Sequence, residues 1–261
     1  MAGIFYPQSG PELSVEIAGL VARCEQVPGS SRAIVSPHGS LPYSGLVSAA
    51  AWLSTQARKV DRLVILSPSH RALDPAIFLP ESSVFSIPGS SFAVDKKALA
   101  DLADSITACV EDDIPHLEEH GVEMQLIFAA YFHPHASIVP LIVSGSDPGI
   151  LTSLFAGLYS LFADDLESTL FVISSNMAVA EDKVSCLERT EEYIAWLSPS
   201  GRGKDRPAGA VGICGAALIE AFMGSDLGRG LSPNMLERTS SAPFAEAGEP
   251  IVGYAAIGLS P

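Results

Sequence analysis

The chain has 261 residues, 48% of them hydrophobic, and carries 30 acidic against 15 basic side chains for a formal charge of −15. That is enough apolar material for a large core, and the acidic balance without any basic run excludes nucleic acid, because phosphate binding needs clustered cations. No apolar stretch reaches the roughly 18 residues of a membrane-spanning helix, and Met1–Pro7 lacks the charged and apolar regions of a signal peptide, so a cytoplasmic protein is expected.

In chain order, the pattern predicts a helix over Glu12–Cys24 with Leu13, Ile17, Leu20 and Val21 on one face. A strand follows at Arg32–Ser36, then a helix at Ser44–Gln56 for which Ser44 serves as N-cap. Strands at Leu63–Ser67 and Ala76–Leu79 precede helices at Lys96–Cys109 and Glu118–Tyr131. A strand at Ser137–Val143, a helix at Gly149–Phe162, a strand at Leu170–Ser174, helices at Glu181–Leu197 and Gly212–Met223, and a strand at Ile251–Ile257 complete the series. The alternation points to α/β architecture. Val64-Ile65-Leu66 and Phe171-Val172-Ile173 are continuous apolar runs, which suit strands covered on both faces. Ser198–Gly209 reads as a surface loop within one domain spanning residues 1–261, and Met223–Gly253 also reads as loop.

His38, His70 and Cys214 each stand where a strand runs out into a turn or a helix start, the place where open α/β sheets bind ligands. Two imidazoles and a thiolate suit iron, zinc or copper. Spacing by itself ties nothing together, and two loop histidines with a buried cysteine account for the same pattern. His120 and Glu123 stand at i, i+3 and share a helix face, a spacing found both in carboxylate-bridged metal sites and on solvated helices. His133 closes a helix, where a cationic imidazole is favourable, while His116 and His135 have no partner at a telling spacing. Ser174-Ser175-Asn176 ends an apolar strand and could reach a ligand or cap a helix. The four cysteines, Cys24, Cys109, Cys186 and Cys214, include no C-x-x-C pair and are expected as free thiols. No dinucleotide, P-loop, zinc-protease or nucleophile-elbow motif occurs.

Taken in order, the motifs resemble the Memo family, whose prokaryotic members form the B component of the AmmeMemoRadiSam system. Ala2-Gly3-Ile4-Phe5-Tyr6-Pro7 resembles its opening, and Pro37-His38 through Tyr43-Ser44-Gly45 resembles P-H-A-G-Y-x-Y-S-G. Ser67-Pro68-Ser69-His70 resembles G-P-S-H, and Phe85-Ser86-Ile87-Pro88-Gly89 with Val94-Asp95 resembles a T-P-L-G…V-D segment. Glu119-His120-Gly121-Val122-Glu123-Met124-Gln125-Leu126 resembles E-H-S-x-E-x-Q-L, followed by Ile138-Val139-Pro140. Ile213-Cys214-Gly215 and Val252-Gly253-Tyr254-Ala255 resemble the family's last two motifs.

The resemblance implies an α/β/α sandwich with a central mixed sheet, similar to class III extradiol ring-cleaving dioxygenases. It implies a single metal ion, iron(II) first with copper or zinc as alternatives, held by His38, His70 and Cys214. It gives His120 an acid–base role and places Tyr43, Glu123, Asn176 and Val179 around the pocket. It also suggests an unknown small-molecule ligand and joint action with radical-SAM and AMMECR-type proteins.

One departure bears on activity. The family's S-S-D-F-S/C-H segment here reads Ser174-Ser175-Asn176-Met177-Ala178-Val179, so an aspartate and a histidine are replaced by groups that cannot take a proton. Ser40-Leu41 also replaces the Gly-Tyr of the first histidine motif. The expectation is a divergent metal-dependent redox protein with weak or no ring cleavage. An active iron(II) dioxygenase-like enzyme and a non-catalytic binding or scaffold protein are the alternatives.

Overall fold

The computed structural model describes residues 1–25, 29–72 and 74–261. It opens with helix α1 (Gly10–Arg23), whose Ser9 side chain accepts the Glu12 N–H and whose buried stripe is Leu13, Ile17 and Leu20. Strand β1 (Ala33–Ser36) leads into α2 (Leu41–Leu53). The N-cap of α2 is Ser40, not Ser44. Pro42, free of a donor, favours the earlier start, and the Ser44 hydroxyl sits inside the first turn, donating to the Gly39 carbonyl at 2.9 Å.

Strands β2 (Arg62–Pro68) and β3 (Ala76–Leu79) follow. A hairpin of β4 (Val84–Ile87) and β5 (Ser90–Ala93) comes next, turning at Pro88-Gly89 with Gly89 at φ +84°. Helix α3 (Lys96–Ser105) is capped by Asp95, and a short strand β6 (Cys109–Glu111) takes up the end of what its sequence suggested was helix. The helix expected at Glu118–Tyr131 is broken into α4 (Ile114–Glu118) and α5 (Gly121–Phe132), with Glu119 and His120 at the break.

Strand β7 (Ser137–Ser144), helix α6 (Pro148–Phe162), strand β8 (Thr169–Ser174), the two-residue strand β9 (Val179–Ala180) and helix α7 (Lys183–Leu197) continue the alternation. Asp147 and Asp182 cap α6 and α7 by accepting the N–H three residues on. The chain closes with α8 (Ala216–Gly224), β10 (Ser232–Ser240) and β11 (Ile251–Ser260). Strand β10 falls in a segment that reads as loop from its Gly, Pro and Ser content. It forms because β11 offers an open edge, to which it pairs with a bulge between Met235 and Glu237.

The main sheet runs β10-β11-β1-β8-β2-β7-β3-β6, with β9 added beside β11. Its centre, β1-β8-β2-β7, is parallel, while β11 and β3 join antiparallel, so the sheet is mixed. Helices α1, α2 and α5 pack together over one face. Helix α6 packs on α3 and α8, and α7 lies on β10 and β11, covering the other face.

The central strands are buried beyond the first residues of β2 and β7, Arg62 and Ser137, which are half-buried. Val64, Ile65, Leu66, Val172 and Ile173 have no exposed surface, and each such side chain contributes roughly 1.5–3 kcal/mol relative to an exposed one. Because β8 lies between β1 and β2, their carboxyl ends emerge side by side. That edge is where the chemistry collects.

Candidate metal centre

His38 follows β1 and His70 follows β2, on either side of the end of β8. Cys214 arrives from the other direction, in the turn just before α8. One donor atom from each of these three residues lies within 4.8 Å of the others. The Cys214 sulfur is 3.5 Å from His38 Nε2, and the His38 and His70 rings meet edge to face with centroids 5.2 Å apart.

Each donor is held from behind. His38 has no exposed surface, its Nδ1 lies 3.0 Å from Ser174 Oγ, and its backbone N–H donates to Asn176 Oδ1 at 3.1 Å. His70 is gripped by Glu119, which accepts the His70 backbone N–H on one oxygen at 2.5 Å and faces Nδ1 with the other at 2.8 Å. Cys214 receives the Asn176 backbone N–H at 3.3 Å, while Ser175 Oγ, 3.7 Å from the sulfur, accepts the next N–H, that of Gly215, at 2.9 Å. Both histidines therefore turn Nδ1 toward the protein and present Nε2, the arrangement of metal-ligating imidazoles backed by oxygen partners.

The charges follow from this packing. Burial alone would raise the Cys214 thiol, but the adjoining His38 ring, then the hydrogen bonds of His70 and Ser175, hold it well below its ordinary value. The Cys214 sulfur, and after it Glu119, lift His70 to about 10 against the effect of burial. Glu119 is only 3% exposed; burial would raise it, yet its bonds to the His70 ring and backbone keep it lowered. The two shifts act together, Cys214 toward the thiolate and His70 toward the imidazolium.

His120 stands beside the group, its ring against both histidines. It occupies the N-cap position of α5, its ring 5.0 Å from His38 and 5.7 Å from His70 between centroids, nearly parallel to the latter. Phe5 covers it at 4.9 Å. Burial, then the neighbouring imidazoles, lower His120 to about 4, so it is neutral at pH 7. Glu123 lies one turn into the helix and accepts the Tyr6 hydroxyl proton.

Two other expected site residues, Tyr43 and Val179, have neighbours of their own. Tyr43 is in the first turn of α2, partly exposed, and packs edge to face on Phe244 at 4.8 Å. Val179 is on β9, paired with Val252, and lines a surface cleft with Glu181, Asp182 and Arg189. His116 and His133 are occupied elsewhere, their Nε2 atoms 3.1 Å from the Phe78 carbonyl and 2.9 Å from Thr55 Oγ1. His133 does end a helix, but it is not cationic: burial, then Arg58, lower it to about 4. The residue that sequence reasoning missed is Glu119. Its side chain is buried at a break between two helices, and nothing in the spacing of Glu118-Glu119-His120 distinguishes it from a solvated acid.

A family model described as "Memo-like protein" matches residues 1–257. The chain belongs to the Memo family. Among curated relatives, a MEMO1 family protein of Thermoplasma acidophilum is 26% identical over 98% of this chain and 96% of its own length. A MEMO1 family protein of Thermotoga maritima is 24% identical over 97% and 96%, and protein MEMO1 of Danio rerio is 29% identical over 66% and 59%. Among solved structures, an uncharacterised protein of Escherichia coli K12 superposes with a TM-score of 0.54 at 13% identity, covering 86% of this chain and 98% of that one. That likeness is one of fold. The Memo motifs read from the sequence thus fall on the elements that build this site: the P-H segment on the β1–α2 turn, the P-S-H segment after β2, and the C-G pair before α8.

Proposed function

We propose that this Memo-family protein binds one transition-metal ion through Nε2 of His38, Nε2 of His70 and Sγ of Cys214. The observation that carries the reading is the convergence of the three donor atoms within 4.8 Å, with Glu119 behind one imidazole and Ser174 behind the other. The donor set fits the group: two imidazoles and a thiolate suit iron(II) first, with copper and zinc accepted by the same ligands. Three protein ligands leave coordination positions free for a small molecule. A bound ion would supply Lewis-acid or one-electron chemistry there.

The chain's own residues limit what that chemistry can be. His120 is the group placed to take a proton, but with a pKa near 4 it is a weak base at pH 7. Asn176 spends its side-chain oxygen on the His38 backbone and has no proton-accepting capacity. Val179 offers none either. A thiolate ligand is also open to oxidation by oxygen. These features favour a divergent redox protein with weak or no ring-cleaving activity.

The test is anaerobic loading with iron(II), metal analysis, then oxygen and a panel of catechols. A filled site without ring-opened product is the expected result. Product formed at an enzymic rate and lost in His120→Ala would make the protein an active dioxygenase with His120 as its base. No uptake of iron, copper or zinc would leave a binding role on the same fold.

A further inference from the structure

Four polar side chains in the core, His38, Ser174, Gln125 and Trp52, have no exposed surface and form one continuous chain of hydrogen bonds. The direction of every bond in it can be worked out. The Trp52 indole N–H can only donate, and it meets Gln125 Oε1 at 3.2 Å. The other end of the Gln125 amide faces the Pro37 carbonyl at 3.0 Å and the Ser36 carbonyl at 3.4 Å, both acceptors, so that end is the NH₂ group. From there Gln125 also donates to Ser174 Oγ at 3.0 Å.

Ser174 has a single hydroxyl hydrogen. Its oxygen stands 2.8 Å from the Gly121 carbonyl oxygen, a separation at which two oxygens need a hydrogen between them, so the hydroxyl donates there. No hydrogen is left for His38. The 3.0 Å contact between Ser174 Oγ and His38 Nδ1 must then be Nδ1–H donating to the serine.

We propose that Trp52, Gln125 and Ser174 act as positioning residues that fix the tautomer of His38, holding its proton on Nδ1 and keeping the lone pair of Nε2 on the side of Cys214 and His70. The proposal rests on reading His38 as a metal ligand for its purpose, but the tautomer is a property of the protein without metal. An imidazole with the opposite tautomer would point an N–H where an ion must sit, and binding would first require its proton to move to Nδ1 and the Ser174 hydroxyl to turn back to the Gly121 carbonyl. Backing groups of this kind raise metal affinity about 10–100-fold. His70 is backed by the single buried carboxylate of Glu119, whereas His38 is backed by a neutral relay reaching α2 through Trp52.

The experiment is long-range proton–nitrogen NMR on ¹⁵N-histidine-labelled, metal-free protein, read across a pH series until the ring signals stop moving. The expected His38 signals are a protonated Nδ1 and an unprotonated Nε2. An Nε2–H tautomer in the unmodified protein overturns the proposal. In Ser174→Ala the bias is expected to disappear into a mixture, with zinc affinity falling about 10–100-fold. An unchanged tautomer and unchanged affinity in a folded Ser174→Ala protein also overturn it. If that variant does not fold, the spectrum of the unmodified protein still decides. An Nδ1–H tautomer in a protein that binds no metal would support the hydrogen-bond relay and refute the metal reading separately.

Discussion

Glu119 holds His70 by two bonds at once, one to the backbone N–H and one to the ring. Backbone and side chain are thus fixed by a single carboxylate that is almost wholly buried. Replacing it with glutamine keeps the size but loses the charge. Glu119→Gln is expected to lower zinc or iron(II) affinity about 10–100-fold, the usual effect of removing a carboxylate behind a ligating imidazole. Competition with a chelator measures this, and an affinity within about twofold of the original would remove Glu119 from the site's account.

Metal binding should release a proton. With His70 lifted to about 10 and Cys214 held low, the ion arriving at neutral pH meets a thiolate that is ready and an imidazolium that must deprotonate. Affinity therefore rises with pH, by up to about tenfold per unit, and levels off once pH passes the His70 value near 10. Calorimetry at pH 7.5 in buffers of different ionisation enthalpy should show about one proton released per metal. No proton release would mean that the two groups are not paired in this way.

The four thiols should react very differently. Burial, the leading cause in each case, raises Cys24, Cys109 and Cys186, while Cys214 is lowered. Only a thiolate attacks iodoacetamide readily. Alkylation of the metal-free protein at pH 7, followed by mass spectrometry, should mark Cys214 first, and prior loading with zinc should protect it. Equal labelling of Cys24 and Cys214 would contradict this ranking.

Acid should destabilise the fold before the carboxylates titrate. His116, His120 and His133 all have folded values near 4, with burial as the main cause. Their folded values lie below the ordinary 6.5, so the stability they protect is complete above pH 6.5 and is lost as pH falls toward 4. Urea melts between pH 7 and pH 4 should show this decline, and His133→Gln should flatten part of it.

Gly215 leaves no room for a methyl group. A Cβ there would stand 2.6 Å from Ser175 Cβ and 2.7 Å from its hydroxyl. Gly215→Ala is expected to cost about 1–3 kcal/mol of stability through overpacking. It should also weaken metal binding, since the same turn carries Cys214. A thermal melt and a zinc titration on one preparation test both effects.

Much of this protein can be read along the chain. Val64-Ile65-Leu66 and Phe171-Val172-Ile173 announce buried central strands because a strand covered on both faces has no polar alternation to disguise it. His38 and His70 are marked by position, each just past such a strand, and the ordered motifs gave the family. Edge elements were harder. Strand β10 mixes exposed and half-buried positions, and the β4–β5 hairpin and β6 are three- or four-residue pieces whose periodicity is too short to register.

What no local pattern contains is the strand order. Placing β8 between β1 and β2 is what sets His38 beside His70, and the turn before α8 must cross to the same edge to bring Cys214 within reach. Glu119 and Ser174 gained their roles the same way. A buried carboxylate or hydroxyl looks like any other in sequence, because its partner lies 49 residues away for Glu119 and 136 for Ser174. Only packing brings them together, and only a closed, dry core makes such a polar group bond to one particular imidazole nitrogen rather than to water.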